Sequence, residues 1–187
     1  MPTPKAVNQI VKEDALFDTA VKADDMDGAQ YVLDEYAKKE GYAFHRGADP
    51  KDAPAGVSLF SDDPSAIAQY GDKQYLIKKT DLPDVGDDIV DFAERHYSIG
   101  PEEAAELVRP DDIVDSAGAW DDPDFMNALW DSGLIDDVQG FKTGDGAITF
   151  PIDDLKVISG DASSMSGKRI SDQLGVKTKL TPPPPRS

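Results

Sequence analysis

The sequence has no cysteine, which excludes disulfides, zinc–thiolate centres and cysteine nucleophiles and leaves the redox compartment open. Its only histidines are His45 and His96, too few for a histidine-built metal centre. No apolar run approaches the roughly 18 residues needed to span a bilayer, and the N-terminus lacks the apolar centre of a signal peptide. A soluble, cytoplasmic chain with no membrane partner is therefore expected. Basic residues are scarce as well: 19 Lys and Arg stand against 37 Asp and Glu, a formal charge of −18 over 187 residues. So acidic a chain is not drawn nonspecifically to nucleic acid or to an anionic membrane. Neither an internal repeat nor a phosphate-loop signature is present.

What is there is globular in composition. Hydrophobic residues make up 39% and aromatics 8%, with a mean hydropathy of −0.47, and the length suits one domain of ordinary size with tails. Residues 1–12, with prolines at 2 and 4, read as a flexible leader, residues 13–160 as the domain, and residues 161–187 as a flexible Ser/Pro-rich tail. Pro182 to Pro185 would stiffen its end. The tail is basic: from Ser159 onward Lys168, Arg169, Lys177, Lys179 and Arg186 face only Asp161 and Asp172. The body before it is more acidic than the whole. Such a body is either simply soluble or shaped to occupy the basic cleft of a partner protein, as DNA would.

Helix and strand signals alternate along the body. Glu13 to Lys22 reads as a short helix. Asp24 and Asp25 cap a second, in which Met26, Ala29, Val32, Leu33, Tyr36 and Ala37 recur at helical spacing before Gly41 stops it. Lys73 to Thr80 reads as a strand. Asp88 to Tyr97 and Pro101 to Val108 read as helices, the second opened by proline and two glutamates. Asp121-Asp122-Pro123 caps another helix, with Phe125, Met126, Leu129 and Trp130 on its core side and Gly133 as its stop. Val138 to Phe150 reads as a hairpin turning at Gly144-Asp145-Gly146, and Pro151 to Ile158 as a last short strand. His96 is read as structural. The aspartates at 111, 112, 115, 121, 122 and 124 lack a glycine-centred loop closed by glutamate, so they read as solvated caps and no metal is expected.

The most informative stretch runs from Tyr42 to Tyr70. Tyr42-Ala43-Phe44-His45-Arg46-Gly47 reads as a short strand that delivers basic side chains to a cleft edge. Ala48 to Ala55 is a loop, and Val57 to Phe60 a second strand. Ser61-Asp62-Asp63-Pro64 then starts a helix that carries Ile67 inward and ends at Tyr70. A guanidinium fork suits a pyrophosphate or ribose, and a tyrosine ring offers a flat face at low entropy cost.

This order of strand, basic residue with glycine, Phe-Ser strand, and helix closed by tyrosine resembles the ADP-ribosyltransferase-like domains of phage and mobile-element polyvalent proteins. The resemblance covers roughly residues 14 to 160. It implies an α+β fold, with a split β-sheet and surrounding helices around an NAD-sized cleft. It also implies NAD as cofactor, bound by His45, Arg46 and Gly47, with Tyr70 stacked on nicotinamide. Ser58 and Ser61 either hydrogen-bond the ribose or serve only a strand and a helix cap.

The activity so implied is mono-ADP-ribosyl transfer from NAD to a host protein or nucleic acid, in the host cytoplasm if the chain is phage-encoded. The reaction passes through an oxocarbenium-like state that a carboxylate stabilises. Here the sequence departs from the family, because Gly146 stands where the catalytic glutamate is expected. Asp145, one position away and one methylene shorter, is either its catalytic stand-in or the turn residue its glycine neighbours suggest. The alternative is a non-catalytic acidic binding protein, either a degenerate transferase fold or a DNA mimic that inhibits a host enzyme.

Overall fold

Proline is tolerated at the first position of a helix because its missing N–H would have no partner there, and α1 (Pro4–Lys22) begins on one. The computed structural model describes residues 4–53, 56–111, 116–165 and 169–175. Residues 4–12, expected as a loose leader, thus belong to the helix expected only from Glu13. In the sequence, Val7, Ile10 and Val11 extend at helical spacing the series that reaches the fully buried Phe17.

The chain divides into two compact units, residues 1–39 with 160–187, and residues 40–159. In the first, α1 packs with α2 (Met26–Lys39). The Gly28 N–H donates to Asp25 Oδ1 at 2.9 Å at the start of α2, and the chain leaves α2 through Gly41 at φ 82°, a conformation suited to glycine. The same unit fastens part of the segment expected as a flexible tail. Gln30 donates to the Gly160 carbonyl and accepts from the Ala162 N–H, both at 2.9 Å, and Ala162–Met165 forms a 3-10 turn. Beyond it α6 (Ile170–Gln173) is held by Asp14, whose buried carboxylate accepts from the Ser171 N–H at 3.1 Å and hydroxyl at 2.5 Å. The Pro182 to Pro185 stretch and the aspartates at 112 and 115 lie outside the described residues.

The second unit is a six-stranded antiparallel sheet with helices, so the protein is of mixed α+β class. The strands are β1 (Tyr42–Arg46), β2 (Ser58–Ser61), β3 (Gln74–Lys78), β4 (Gly140–Lys142), β5 (Gly146–Thr149) and β6 (Ile158–Ser159). Their order across the sheet is β4-β5-β2-β1-β3-β6. β1 pairs with β3 along its full length, from Tyr42↔Lys78 to Arg46↔Gln74, and β2 pairs with β5 along its own, from Ser58↔Thr149 to Ser61↔Gly146. Between β1 and β2 the register is the single pair Phe44↔Ser61. The sheet is continuous, but it is held at its centre by one point.

Helices α3 (Asp87–Tyr97), α4 (Pro101–Val108) and α5 (Pro123–Ser132) share a core with the β4–β5 side. Trp120, Phe125, Phe141 and Phe150 meet there at ring separations of 5.7 to 6.0 Å. Trp120 is fully buried and donates its indole N–H to the Val108 carbonyl at 2.9 Å, the partner a buried indole requires. His96 lies in this aromatic group, stacked on Phe92 and edge-on to Tyr97 and Phe125. Asp122 caps α5, accepting from the Asp124 N–H at 3.0 Å. A smaller core of Ala43, Phe60, Ile77, Leu82, Ala147 and Leu155 belongs to the same unit.

Candidate functional site

Because β1 and β2 pair only at Phe44↔Ser61, the two strands part beyond it, toward Arg46 on one and Leu59 on the other. A pocket of about 360 Å³ lies at that end, lined by His45, Arg46, Gly47, Ala48, Leu59, Ile67 and Tyr70. Its volume is near the lower bound of about 300 Å³ for small-molecule sites. The elements that shape it follow from local sequence. Asp63 caps a 3-10 helix, Pro64–Tyr70, by accepting from the Ser65 N–H at 3.0 Å, with Pro64 at the first position. That helix buries Ile67 and leaves Tyr70 53% exposed, a flat ring available to a ligand.

Arg46 is held by two neighbours. Its Nε donates to Gln74 Oε1 at 3.1 Å and its Nη1 to the Gly71 carbonyl at 3.3 Å. Gln74, its strand partner, is fully buried, so the guanidinium is oriented from behind by a fixed amide. Nη2 has no hydrogen-bond partner among the described residues. A preset fork with a free edge is the form in which arginine meets a phosphate or carboxylate.

His45 does a different job. Its Nδ1 lies 2.9 Å from the Leu59 carbonyl oxygen and its Nε2 3.0 Å from that of Ala48. The ring therefore bridges β2 and the loop after β1, filling the gap where the two strands separate. A neutral imidazole can donate at only one of these contacts, and a doubly protonated ring at both. With both nitrogens turned to the backbone, His45 braces the pocket wall and offers a ligand its ring.

Behind the pocket-lining Gly47 is a close approach of two glycines. Gly47, at φ 128°, donates its N–H to the Lys73 carbonyl at 3.1 Å, and a Cβ on Gly71 would lie 2.7 Å from the Gly47 Cα. The sequence shows Gly71 only as a turn. Its role, like those of Leu59, Ala48 and Gln74, depends on pairing between distant segments, and the sole local signal was a glycine directly after the helix-closing tyrosine.

Of the residues singled out from sequence, His45, Arg46, Gly47 and Tyr70 come together in this pocket, and Ser58, Ser61 and Asp145 are not among its described lining. Ser58 is buried in β2 opposite Thr149. Ser61 is also buried, and its Oγ accepts from the Asp63 N–H at 3.1 Å. Asp145 stands in the β4–β5 turn, where its backbone carbonyl accepts from the Asp62 N–H at 2.8 Å. Beside it, Gly146 has no room for a side chain: a Cβ there would lie 1.9 Å from the Phe60 carbonyl oxygen. The position expected to carry a catalytic glutamate is thus filled by the backbone of β2.

A scan against protein-family models, a search of curated proteins and a search of solved structures each give no match.

Proposed function

We propose that the pocket at the end of β1 binds NAD or a related pyridine nucleotide, and that the chain is a binder of this ligand rather than a transferase. The reading is carried by the meeting of Arg46, Tyr70 and Gly47 in one 360 Å³ pocket. These residue types occur in the order found in the ADP-ribosyltransferase-like domains that the sequence resembles. The free edge of Arg46 suits a pyrophosphate oxygen, the exposed ring of Tyr70 suits the pyridinium face, and the bare backbone at Gly47 admits close approach. NAD would supply a positively charged ring on which Tyr70 stacks. A pocket of this size takes one nucleotide half, leaving the other outside it.

The non-catalytic part of the proposal rests on the carboxylate. Gly146 is closed to any side chain, and Asp145 is outside the described lining. Displacement of a catalytic group by about 1 Å costs on the order of a hundredfold in rate, and here no carboxylate is among the wall's described residues.

Calorimetric titration with NAD, alongside nicotinamide release measured with and without a bacterial lysate, tests both parts. Saturable binding lost in Arg46→Ala and weakened in Tyr70→Ala, with no nicotinamide released, is the expected result. Absence of binding overturns the pocket's assignment. Release that requires Asp145 overturns the non-catalytic reading and makes the chain a transferase with an acceptor in the lysate.

A further inference from the structure

A second pocket, of about 400 Å³, lies elsewhere in the same unit, lined by Asp84, Val85, Arg109, Lys142, Thr143 and Gly144. We propose that it binds a phosphorylated sugar, with the phosphate on Arg109 and Lys142 and the sugar hydroxyls on Asp84. The argument starts from charge. In a chain with nearly two acidic residues for each basic one, cations are easily paired, yet among the described residues Lys142 has no ion pair and Arg109 has one, with an exposed carboxylate. Arg109 donates its Nε and Nη2 to one acceptor, the Val85 carbonyl, at 3.1 and 2.6 Å. Its one ion pair among the described residues is with Asp87, 3.6 Å away on a fully exposed side chain. A neutral carbonyl fixes the guanidinium without cancelling its charge, and Nη1 has no partner among the described residues.

Lys142 is set into the wall by its backbone. Its N–H donates to the Pro83 carbonyl at 2.9 Å, and it faces Asp84 across an isolated parallel bridge. Despite that proximity, its ammonium forms no ion pair with Asp84 or with any other described residue. Thr143 adds a third observation: its Oγ1 is buried with no hydrogen-bond partner among the described residues. An orphaned buried hydroxyl is a group for which a bound molecule or water supplies the missing partner. Gly144 leaves the turn without a side chain, and a Cβ there would meet nothing within 4 Å.

Two cations favour an oxyanion. The carboxylate of Asp84 repels a bare one but accepts from hydroxyls, and the volume exceeds what a lone phosphate fills. A phosphate joined to a polyhydroxyl body satisfies all three conditions.

The test uses the full chain, with ribose 5-phosphate, ribose and inorganic phosphate as separate probes, followed by chemical-shift changes in the 142–144 amides. Ribose 5-phosphate is expected to saturate, and ribose to produce no shift. Lys142→Gln should weaken binding roughly tenfold or more, the worth of one charge-assisted contact, and Lys142→Arg should retain most of it. Asp84→Asn should weaken ribose 5-phosphate and tighten inorganic phosphate. Arg46→Ala, which empties the other pocket of its anion-binding group, should change nothing here. The proposal is overturned by an absence of saturation, by equal affinity in Lys142→Gln, or by loss of binding in Arg46→Ala. Inorganic phosphate binding as tightly as ribose 5-phosphate also overturns it, and marks an adventitious ion only.

Discussion

Gly47 and Gly71 meet backbone to backbone, with the Gly47 Cα 2.7 Å from where a Cβ of Gly71 would stand. Real Cβ atoms do not approach so closely, and the neighbour here is main chain rather than a side chain that can swing aside. Gly71→Ala should therefore push the end of β1 away from the turn after Tyr70. Overpacking of this kind costs about 1–3 kcal/mol, read as a lowered denaturant midpoint. Pyridine-nucleotide binding should fall by more than the stability loss explains, because Arg46 donates to the Gly71 carbonyl. A variant that binds as well as the native chain would show that the glycine contact does not set the pocket's shape.

Gly146→Glu restores on paper the residue expected of an active transferase. In the fold, its Cβ would fall 1.9 Å from the Phe60 carbonyl oxygen, inside the β2–β5 ladder. The substitution should destabilise the protein by at least about 3 kcal/mol, among the larger effects of single changes, without producing nicotinamide release. Thermal unfolding and a release assay read the two outcomes. A stable, active Gly146→Glu protein would mean that β5 can shift its register.

Trp120 anchors the aromatic core under α4 and α5. Truncation to alanine removes the largest fully buried side chain and should cost about 3–5 kcal/mol. Trp120→Phe should cost less but leave the Val108 carbonyl without its indole donor, a penalty of about 1–3 kcal/mol. Chemical denaturation of the two variants separates packing from hydrogen bonding.

The Tyr97 hydroxyl donates to Asp122 Oδ2 at 2.5 Å, and the pair contributes to the protein's pH response at both extremes. Burial, then the Asp122 contact, raises the tyrosine pKa well above its ordinary value. That stabilisation is complete below about pH 10, where the unfolded tyrosine titrates, and is lost as pH climbs toward the folded value. Asp122 moves the other way, lowered chiefly by the tyrosine hydrogen bond. Its contribution is present above about pH 3.9 and fades as acid protonates the folded carboxylate. Tyr97→Phe should flatten the stability profile at both ends, measured as denaturant midpoints from pH 3 to 11. An unchanged profile would mean that the pair does not hold in solution.

Local chemistry made much of this fold readable. Asp25 and Gly41 bound α2, Pro101 opens α4, Asp122 and Pro123 start α5, and Asp63 and Pro64 start the helix that delivers Tyr70, because each acts within a few residues of itself. That helix is 3-10 rather than α over its seven residues, and the expected strand over 151–158 shrinks to Ile158–Ser159. The single-pair joint between β1 and β2, the Gly47–Gly71 contact and the anchoring of residues 162–165 and 170–173 were not readable. Each depends on a partner far along the chain, such as Asp14 for Ser171 or Gln30 for Ala162, and no short-range pattern names that partner. Asp145 illustrates the difference: the family resemblance made it a candidate acid, and long-range pairing put its carbonyl on the Asp62 N–H.

The division of the chain also orders its synthesis. Residues 40–159 form one unit without interruption, whereas the other is assembled from segments on either side of it. On the ribosome the middle unit can close while the chain is still growing. Helices α1 and α2 precede that unit in the chain, yet Asp14 receives Ser171 only once the segment after it has been translated. Bringing those ends together means closing a loop of more than 150 residues, and prior collapse of the middle unit shortens the free chain that must be searched. A nascent chain stopped near residue 160 would carry a finished pocket at the end of β1, while Asp14 would still lack Ser171.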